Sequence, residues 1–169
     1  MKYIQSIYFI TTICSGLLVS SHIPHKNTLY EDIVILLRQH NTPPMYLDIV
    51  AKTSLETGVP PDIFAKLIKL ESNWHPRAVN HNKNGTKDYG IAQLNSAYLH
   101  EFANYNEDKK LDPFDPHMAI LVAARHLAWL YSQTGSWEEA VMAYNAGLSR
   151  VRSGNIPATT RIYAERIMQ

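Results

Sequence analysis

Signals for helix starts and stops, rather than for strands, divide this chain into segments. Asp115 followed by Pro116 is typical of an N-cap and a first helical residue, and Ser136 with Glu139 three residues later forms a capping box. Gly147 then stands where a glycine commonly ends a helix. Apolar and polar residues do not alternate between hairpin turns, so the sequence predicts an all-α fold.

The same signals predict the other helices. They are expected after the Thr28–Glu31 capping-box pattern and over about residues 45–57, 62–72, 96–102, 116–131, 136–147 and 160–168. Residues 80–88 are rich in Asn, Lys and Gly and are predicted to form a polar loop. We therefore expect one helical domain over residues 45–169, preceded by a helical extension over residues 22–44.

The charge and cysteine content exclude several classes of protein. Sixteen Lys and Arg against fifteen Asp and Glu leave a net charge of +1 over 169 residues, with 46% hydrophobic residues, as in a globular domain. No nucleic-acid partner is expected, because such proteins concentrate Lys and Arg in a patch or stripe. A single cysteine, Cys14, rules out a disulfide framework. The eight histidines form no HExxH motif, so neither a metal nor another cofactor is expected.

The first 21 residues have the pattern of a secretory signal peptide. Lys2 supplies a positive charge, residues 8–19 are mostly apolar, and Val19-Ser20-Ser21 offers small residues for cleavage. The alternative is an uncleaved anchor, although the apolar stretch is short against the roughly 20 residues that a membrane span needs. Cleavage at residue 21 predicts an exported, periplasmic protein that has lost Cys14.

Glu71 is the residue whose position most suggests chemistry. Phe64, Leu67 and Ile68 precede it by seven, four and three residues, which places its carboxyl on the apolar face of a predicted helix. Burial against apolar walls disfavours the charged form and raises the pKa of a carboxyl, so Glu71 is a candidate general acid. The alternative is a frayed helix end with Glu71 in water.

Four short motifs occur around and after this glutamate. They are Glu71-Ser72, the G-I-A-Q-L-N stretch at 90–95, the A-Y-N-A-G stretch at 143–147 and the Y-A-E-R-I stretch at 163–167. In order and spacing they resemble the lytic transglycosylase domain related to goose-type lysozyme, over residues 45–167. The resemblance implies a single lysozyme-like helical domain. The sequence of residues 84–96 is most similar to that of small exported members of this family, which accompany secretion, conjugation or pilus machines.

The resemblance also implies roles for individual residues. Glu71 matches the catalytic acid and base, and Ser72 matches a serine that hydrogen-bonds near it. The remaining expected glycan contacts are two polar residues after the Gly90 turn, an aromatic and an amide facing the glutamate, and a tyrosine of the cleft wall: Gln93, Asn95, Tyr144, Asn145 and Tyr163. At position 92 this chain has alanine, whereas many members of the family have methionine there. Alone, these residues also fit structural roles, Tyr144 in the core and Gln93 and Asn95 in loop hydrogen bonds.

The activity implied by the resemblance is cleavage of the β-1,4 bond between N-acetylmuramic acid and N-acetylglucosamine in peptidoglycan, leaving 1,6-anhydromuramic ends and opening the wall locally. The implied partners are peptidoglycan strands and a secretion, conjugation or pilus apparatus. Two alternatives stay open: a hydrolytic muramidase with Asp88 as second carboxylate, and a non-catalytic glycan-binding component. Trp74 is equally compatible with a surface staple and with a sugar-stacking platform.

Overall fold

The structure is a computed structural model that describes residues 26–169, which form eight α-helices and one small antiparallel sheet. The helices are α1 (Lys26–Gln39), α2 (Leu47–Thr57), α3 (Pro61–Ser72), α4 (Leu99–Ala103), α5 (Pro116–Thr134), α6 (Trp137–Ala146), α7 (Leu148–Arg152) and α8 (Ala158–Met168). Short 3₁₀ turns, Pro44–Tyr46 and Ser96–Tyr98, precede α2 and α4. The predicted helical class is confirmed, whereas the predicted signal peptide lies outside the described residues.

The caps form where the sequence signals predict them. The Asp115 carboxylate accepts a hydrogen bond from the backbone N–H of Met118 at 3.0 Å, and the Ser136 hydroxyl accepts one from Glu139 at 3.5 Å. Gly147 follows the last residue of α6. Thr28, by contrast, lies inside α1 rather than at its N-cap. Helix α7 was not predicted, because five residues contain too little periodicity to detect.

The predicted polar loop over residues 80–88 is wrong in one respect, since this segment forms a β-hairpin. Strands β1 (Val79–His81), β2 (Lys87–Tyr89) and β3 (Leu94–Asn95) make an antiparallel sheet in which β2 is central. Strands of two or three residues, with β1 exposed throughout, show no apolar alternation that a sequence pattern reveals. The hairpin places the polar side chains of β2 and β3 on one side of the domain.

The core is mainly helical and includes the apolar face of α3. Phe64, Leu67 and Ile68 of α3 are completely buried, and α5 and α6 pack together through alanine-rich faces. Helix α1 packs on α2 and α3 through Ile33 and Leu37, so this described part of the predicted N-terminal extension folds onto the domain. Among the described residues, no helix combines the length and the apolar character needed to cross a membrane.

Candidate active site

A groove of about 960 Å³ runs between the sheet and the helices α4 to α7. Its lining includes five of the seven residues that the sequence analysis selected, and also the alternative second carboxylate Asp88. Those five are Glu71, Gln93, Asn95, Tyr144 and Asn145. The other two, Ser72 and Tyr163, are not among the lining residues.

Glu71 stands in the last turn of α3 with its carboxyl at the wall of the groove. Burial raises its pKa from 4.5 to about 7, and the nearby negative charge of Asp88 adds to that rise. The hydroxyl of Tyr163 donates a hydrogen bond to Glu71 Oε1 and opposes the rise by favouring the charged form. Near neutral pH the carboxyl can therefore both give and accept a proton.

The chain leaves α3 through an unusual backbone conformation. Asn73 and Trp74 have φ values of 52° and 65°, in the left-handed region that side chains such as tryptophan rarely adopt. Burial holds Trp74 in this conformation, because only 7% of the residue is exposed. Its ring stacks on that of Tyr46, with the ring centroids 5.7 Å apart. Trp74 is thus a core residue and neither of the two alternatives considered from the sequence. The sharp turn leaves Glu71 at the helix end.

The turn at Gly90 fixes the loop that faces Glu71. Gly90 has a φ of 74°, and a Cβ added there would lie 1.8 Å from the carbonyl oxygen of Pro113. Behind it, the Ser72 hydroxyl donates to the carbonyl oxygen of Ile91 at 2.7 Å and accepts from the N–H of His75 at 3.2 Å. Ser72 therefore ties the end of α3 to this loop, instead of contacting the carboxyl of Glu71.

Tyr144 holds the same loop from the other side. Its hydroxyl donates to the carbonyl oxygen of Ala92 at 2.8 Å. Burial, followed by the negative charges of Glu71 and Asp88, raises the pKa of Tyr144 well above its usual value, so the phenol stays neutral. Tyr144 is therefore a partly buried residue that packs against the core and also lines the groove.

Asp88 is tied down by amide groups. Its Oδ1 accepts from Asn95 Nδ2 at 2.6 Å, while its Oδ2 accepts from Asn82 at 2.9 Å and from Asn80 at 3.4 Å. The carbonyl oxygen of the Asn95 side chain is also engaged, because it accepts from the N–H of Ala97 at 3.0 Å. This network of hydrogen bonds joins the three strands, so Asp88 and Asn95 both help to hold the sheet together.

The other selected residues are placed as follows. Gln93 has a φ of 50° and donates from its side chain to the carbonyl oxygen of Gly90 at 2.9 Å. The side-chain oxygen of Asn145 accepts from the hydroxyl of buried Thr160 at 2.8 Å, and Asn145 also lines the groove. Tyr163 lies against Glu71, and burial together with the charge of Glu71 raises its pKa well above the usual value.

An aromatic wall that none of the sequence motifs marks lies at the α4 and α5 side of the groove. It comprises Phe102, Tyr105, His126 and Trp129, of which Phe102, His126 and Trp129 line the groove. Burial lowers the pKa of His126 to about 4, so its ring is neutral at physiological pH. The signal available was His126 and Trp129 three residues apart on a predicted helix, a spacing that puts both side chains on one face.

The described part of the chain shows no cluster of metal-binding side chains. Over residues 26–169, no three or more His, Cys, Asp or Glu side chains are grouped so that they would hold an ion. The carboxyl groups of the groove have protein partners instead: Glu71 has Tyr163, and Asp88 has the asparagines of the sheet.

The chain is similar to known proteins of one family. The transglycosylase SLT domain matches residues 48–163, which is more than half of the chain. Invasion protein IagB of Salmonella typhimurium is 31% identical over 121 residues, covering 72% of this chain and 74% of its own length. Protein IpgF of Shigella flexneri is 33% identical over 92 residues, covering 54% of this chain and 60% of its own length.

Solved structures agree on the fold. The 70 kDa soluble lytic transglycosylase of Escherichia coli superposes with a TM-score of 0.64 at 20% identity, and covers 83% of this chain but only 28% of its own. An inactive mutant of the lytic transglycosylase Slt from Pseudomonas aeruginosa gives a TM-score of 0.62 at 20% identity, over 74% of this chain and 23% of its own. The predicted resemblance and enzyme class are thereby confirmed: the chain belongs to the transglycosylase SLT family.

Proposed function

We propose that this protein is a peptidoglycan lytic transglycosylase in which Glu71 is the only catalytic carboxyl. The substrate bond is the β-1,4 linkage between N-acetylmuramic acid and N-acetylglucosamine, and the product is a 1,6-anhydromuramic end. The single observation that supports this most strongly is a carboxyl at the groove wall whose pKa is raised to about 7. An ordinary glutamate, ionised at neutral pH, has no proton to give to a leaving oxygen.

The first step of the proposed reaction is proton donation. The protonated carboxyl of Glu71 donates to the glycosidic oxygen while the bond from this oxygen to C1 of N-acetylmuramic acid breaks. N-acetylglucosamine leaves as the alcohol, and positive charge develops at C1. The hydrogen bond from Tyr163 to Glu71 Oε1 fixes the rotamer of the acid and stabilises the carboxylate that forms. The acetamido group of the same muramic acid shares in stabilising C1.

The second step closes the anhydro ring and returns the proton. The C6 hydroxyl of the muramic acid attacks C1 of the same sugar, and the Glu71 carboxylate takes its proton. The enzyme ends in its starting state, and no water is consumed. Attack within one molecule exploits proximity, which is worth up to roughly 7–11 kcal/mol when the groups are well oriented. One carboxyl therefore suffices.

A hydrolytic muramidase remains the alternative, with Asp88 activating a water. Asp88 lines the groove, which favours that reading. However, three asparagine side chains donate to its two oxygens, and the shortest of these bonds, from Asn95, is 2.6 Å. Activating a water would require Asp88 to exchange these bonds, so we assign it to holding the sheet. A non-catalytic glycan-binding component is the second alternative, against which the raised pKa of Glu71 argues.

The proposed setting is the bacterial periplasm. The similarity to IagB, which is named an invasion protein, supports a role in opening the wall locally for a secretion, conjugation or pilus apparatus. In this proposal residues 1–21 are a signal peptide, residues 22–44 an extension and residues 45–169 the transglycosylase domain. Periplasmic fractionation of the expressed full chain, with N-terminal sequencing of the product, tests export and cleavage. Uncleaved protein in the membrane fraction would contradict cleavage, and protein retained in the cytoplasmic fraction would contradict export.

The catalytic assignment is tested by separating binding from turnover. Glu71→Gln keeps the size and polarity of the side chain but removes its acid, so we expect peptidoglycan to bind the variant in a sedimentation assay without release of soluble fragments. Asp88→Asn, which keeps an acceptor for the sheet asparagines, is expected to retain most activity. Unchanged turnover in Glu71→Gln would refute the mechanism, and a collapse in Asp88→Asn equal to that in Glu71→Gln would favour the hydrolase.

A further inference from the structure

Trp129 is an exposed indole in the wall of the groove. It is 42% exposed, although a tryptophan has much to gain from burial. The other two tryptophans are used in packing: Trp74 stacks on Tyr46, and Trp137 stacks on Tyr131 at 4.1 Å. Of the three, Trp129 alone lines the groove. Its exposure therefore leaves a rigid apolar surface beside the path of a bound ligand.

The indole is backed by a second ring. His126 stacks on Trp129 with a centroid distance of 5.7 Å and an interplanar angle of 19°. His126 is itself fixed by edge contacts with Phe102 at 5.0 Å and Tyr105 at 5.5 Å, and its Nδ1 lies 3.2 Å from the Tyr105 hydroxyl. The indole is thus supported by a neutral, immobilised imidazole, while 42% of Trp129 remains exposed at the groove.

The position of this ring relative to Glu71 defines what it can contact. His126 lies 5.7 Å from Tyr144, and Tyr144 is close enough to Glu71 for the carboxylate charge to raise its pKa. Trp129 and Glu71 line the same groove, and the rings of His126 and Tyr144 form a series of contacts that leads from Trp129 toward the acid. We therefore take a group bound on Trp129 to be a neighbour of the cleaved linkage and not the reacting centre itself.

We propose that Trp129 is a stacking platform for a pyranose ring of the glycan strand next to the cleaved linkage. The proposal rests on the proposed function, which supplies the glycan. One face of an N-acetylhexosamine ring is a patch of C–H groups, and its hydroxyls project around the edge. Stacking this face on the indole removes apolar surface from water on both partners while the hydroxyls keep their hydrogen bonds. Trp129 is then a binding residue that sets strand position and takes no part in proton transfer.

The test measures binding in a chain that cannot turn over its ligand. The probe is soluble glycan strands freed of peptides by an amidase, titrated into the Glu71→Gln protein with calorimetry and tryptophan fluorescence as readouts. We expect Trp129→Ala in this background to weaken binding roughly ten-fold, equivalent to about 1.4 kcal/mol. Trp129→Phe, which keeps a smaller aromatic face, is expected to retain most affinity. Trp137→Phe is the matched control and is expected to bind like the Glu71→Gln protein.

The fluorescence readout identifies the ring that meets the sugar. The emission change on adding strands is expected to vanish in Trp129→Phe and to persist in Trp137→Phe. Equal affinity of the Trp129→Ala and Glu71→Gln proteins, or a fluorescence change that persists without Trp129, would overturn the platform. The wild-type chain is assayed in parallel for release of fragments: if it cleaves peptidoglycan while Trp129→Ala binds normally, only the platform fails. If the wild-type chain neither binds nor cleaves strands, the proposed function fails as well.

Discussion

Replacing Glu71 by glutamine is expected to make the folded protein more stable at neutral and higher pH. The pKa of this carboxyl is raised from 4.5 to about 7 by burial at the end of α3. The folded state therefore holds the proton more tightly than the unfolded chain, and ionising Glu71 costs stability as the pH rises. Glutamine resembles the protonated form, and its side-chain oxygen can still accept the hydrogen bond from Tyr163.

The size of this effect follows from the shift in pKa. The difference between 4.5 and about 7, at about 1.36 kcal/mol per unit, gives a penalty of about 3 kcal/mol. The sign is that of an acid whose pKa is raised on folding: the penalty is absent below pH 4.5, grows between pH 4.5 and 7, and is complete above pH 7. The advantage of Glu71→Gln over wild type should follow the same curve.

Urea denaturation of both proteins at several pH values from 4 to 9 measures this directly. The difference in free energy of unfolding is expected to increase by about 3 kcal/mol across the series, with unchanged m-values. Glu101→Gln, at an exposed carboxyl that also lines the groove, is the matched control and should show no such increase. A flat difference between Glu71→Gln and wild type across the series would refute the assignment of a desolvated carboxyl.

Three further predictions concern the surroundings of Glu71. Tyr163→Phe removes the hydrogen bond that lowers the pKa of Glu71. The fall in kcat/KM at alkaline pH should therefore move to higher pH by about one pH unit, and a move to lower pH would contradict the contact. Asp88→Asn removes a negative charge that raises the pKa of Glu71, so the fall in kcat/KM at alkaline pH should move to lower pH. A move to higher pH would contradict this effect of Asp88. Gly90→Ala places a Cβ 1.8 Å from the carbonyl oxygen of Pro113, so unfolding experiments should show a loss of more than about 3 kcal/mol, and a near-neutral change would refute the close approach.

The helical part of the fold was predictable because its determinants are local. The N-caps at Asp115 and Ser136 and the glycine Gly147 that ends α6 act within one or two turns, and each stands in the sequence beside an apolar periodic segment. The hairpin over residues 79–89 gave no such signal. Its strands are held by asparagine contacts to Asp88 between residues six to eight positions apart, which a pattern of apolar residues does not reveal.

Only those residues of the groove that belong to sequence motifs could be predicted. Short motifs found Glu71, Gln93, Asn95, Tyr144 and Asn145, all of which line it. They did not reveal which partners these side chains have, because those partners come from distant segments: Tyr163 meets Glu71 across 92 positions, and Tyr144 meets Ala92 across 52.

The aromatic wall illustrates what motifs omit altogether. Trp129 and His126 lie on α5, outside every motif, and Phe102 and Tyr105 come from another segment of the chain. Only packing brings these rings together. Ser72 shows the reverse case, since a residue placed by a motif next to the acid instead uses its hydroxyl to hold the loop at Ile91.

The most direct test of the central claim is the mass of the products. Purified peptidoglycan is digested with the protein, and the soluble muropeptides are analysed by mass spectrometry. Attack by the C6 hydroxyl consumes no water, so every new muramic end should be lighter than a reducing end by one water, and Glu71→Gln should release none. Reducing ends from the wild-type protein would contradict the account, since they require a water that Glu71 alone is not proposed to activate.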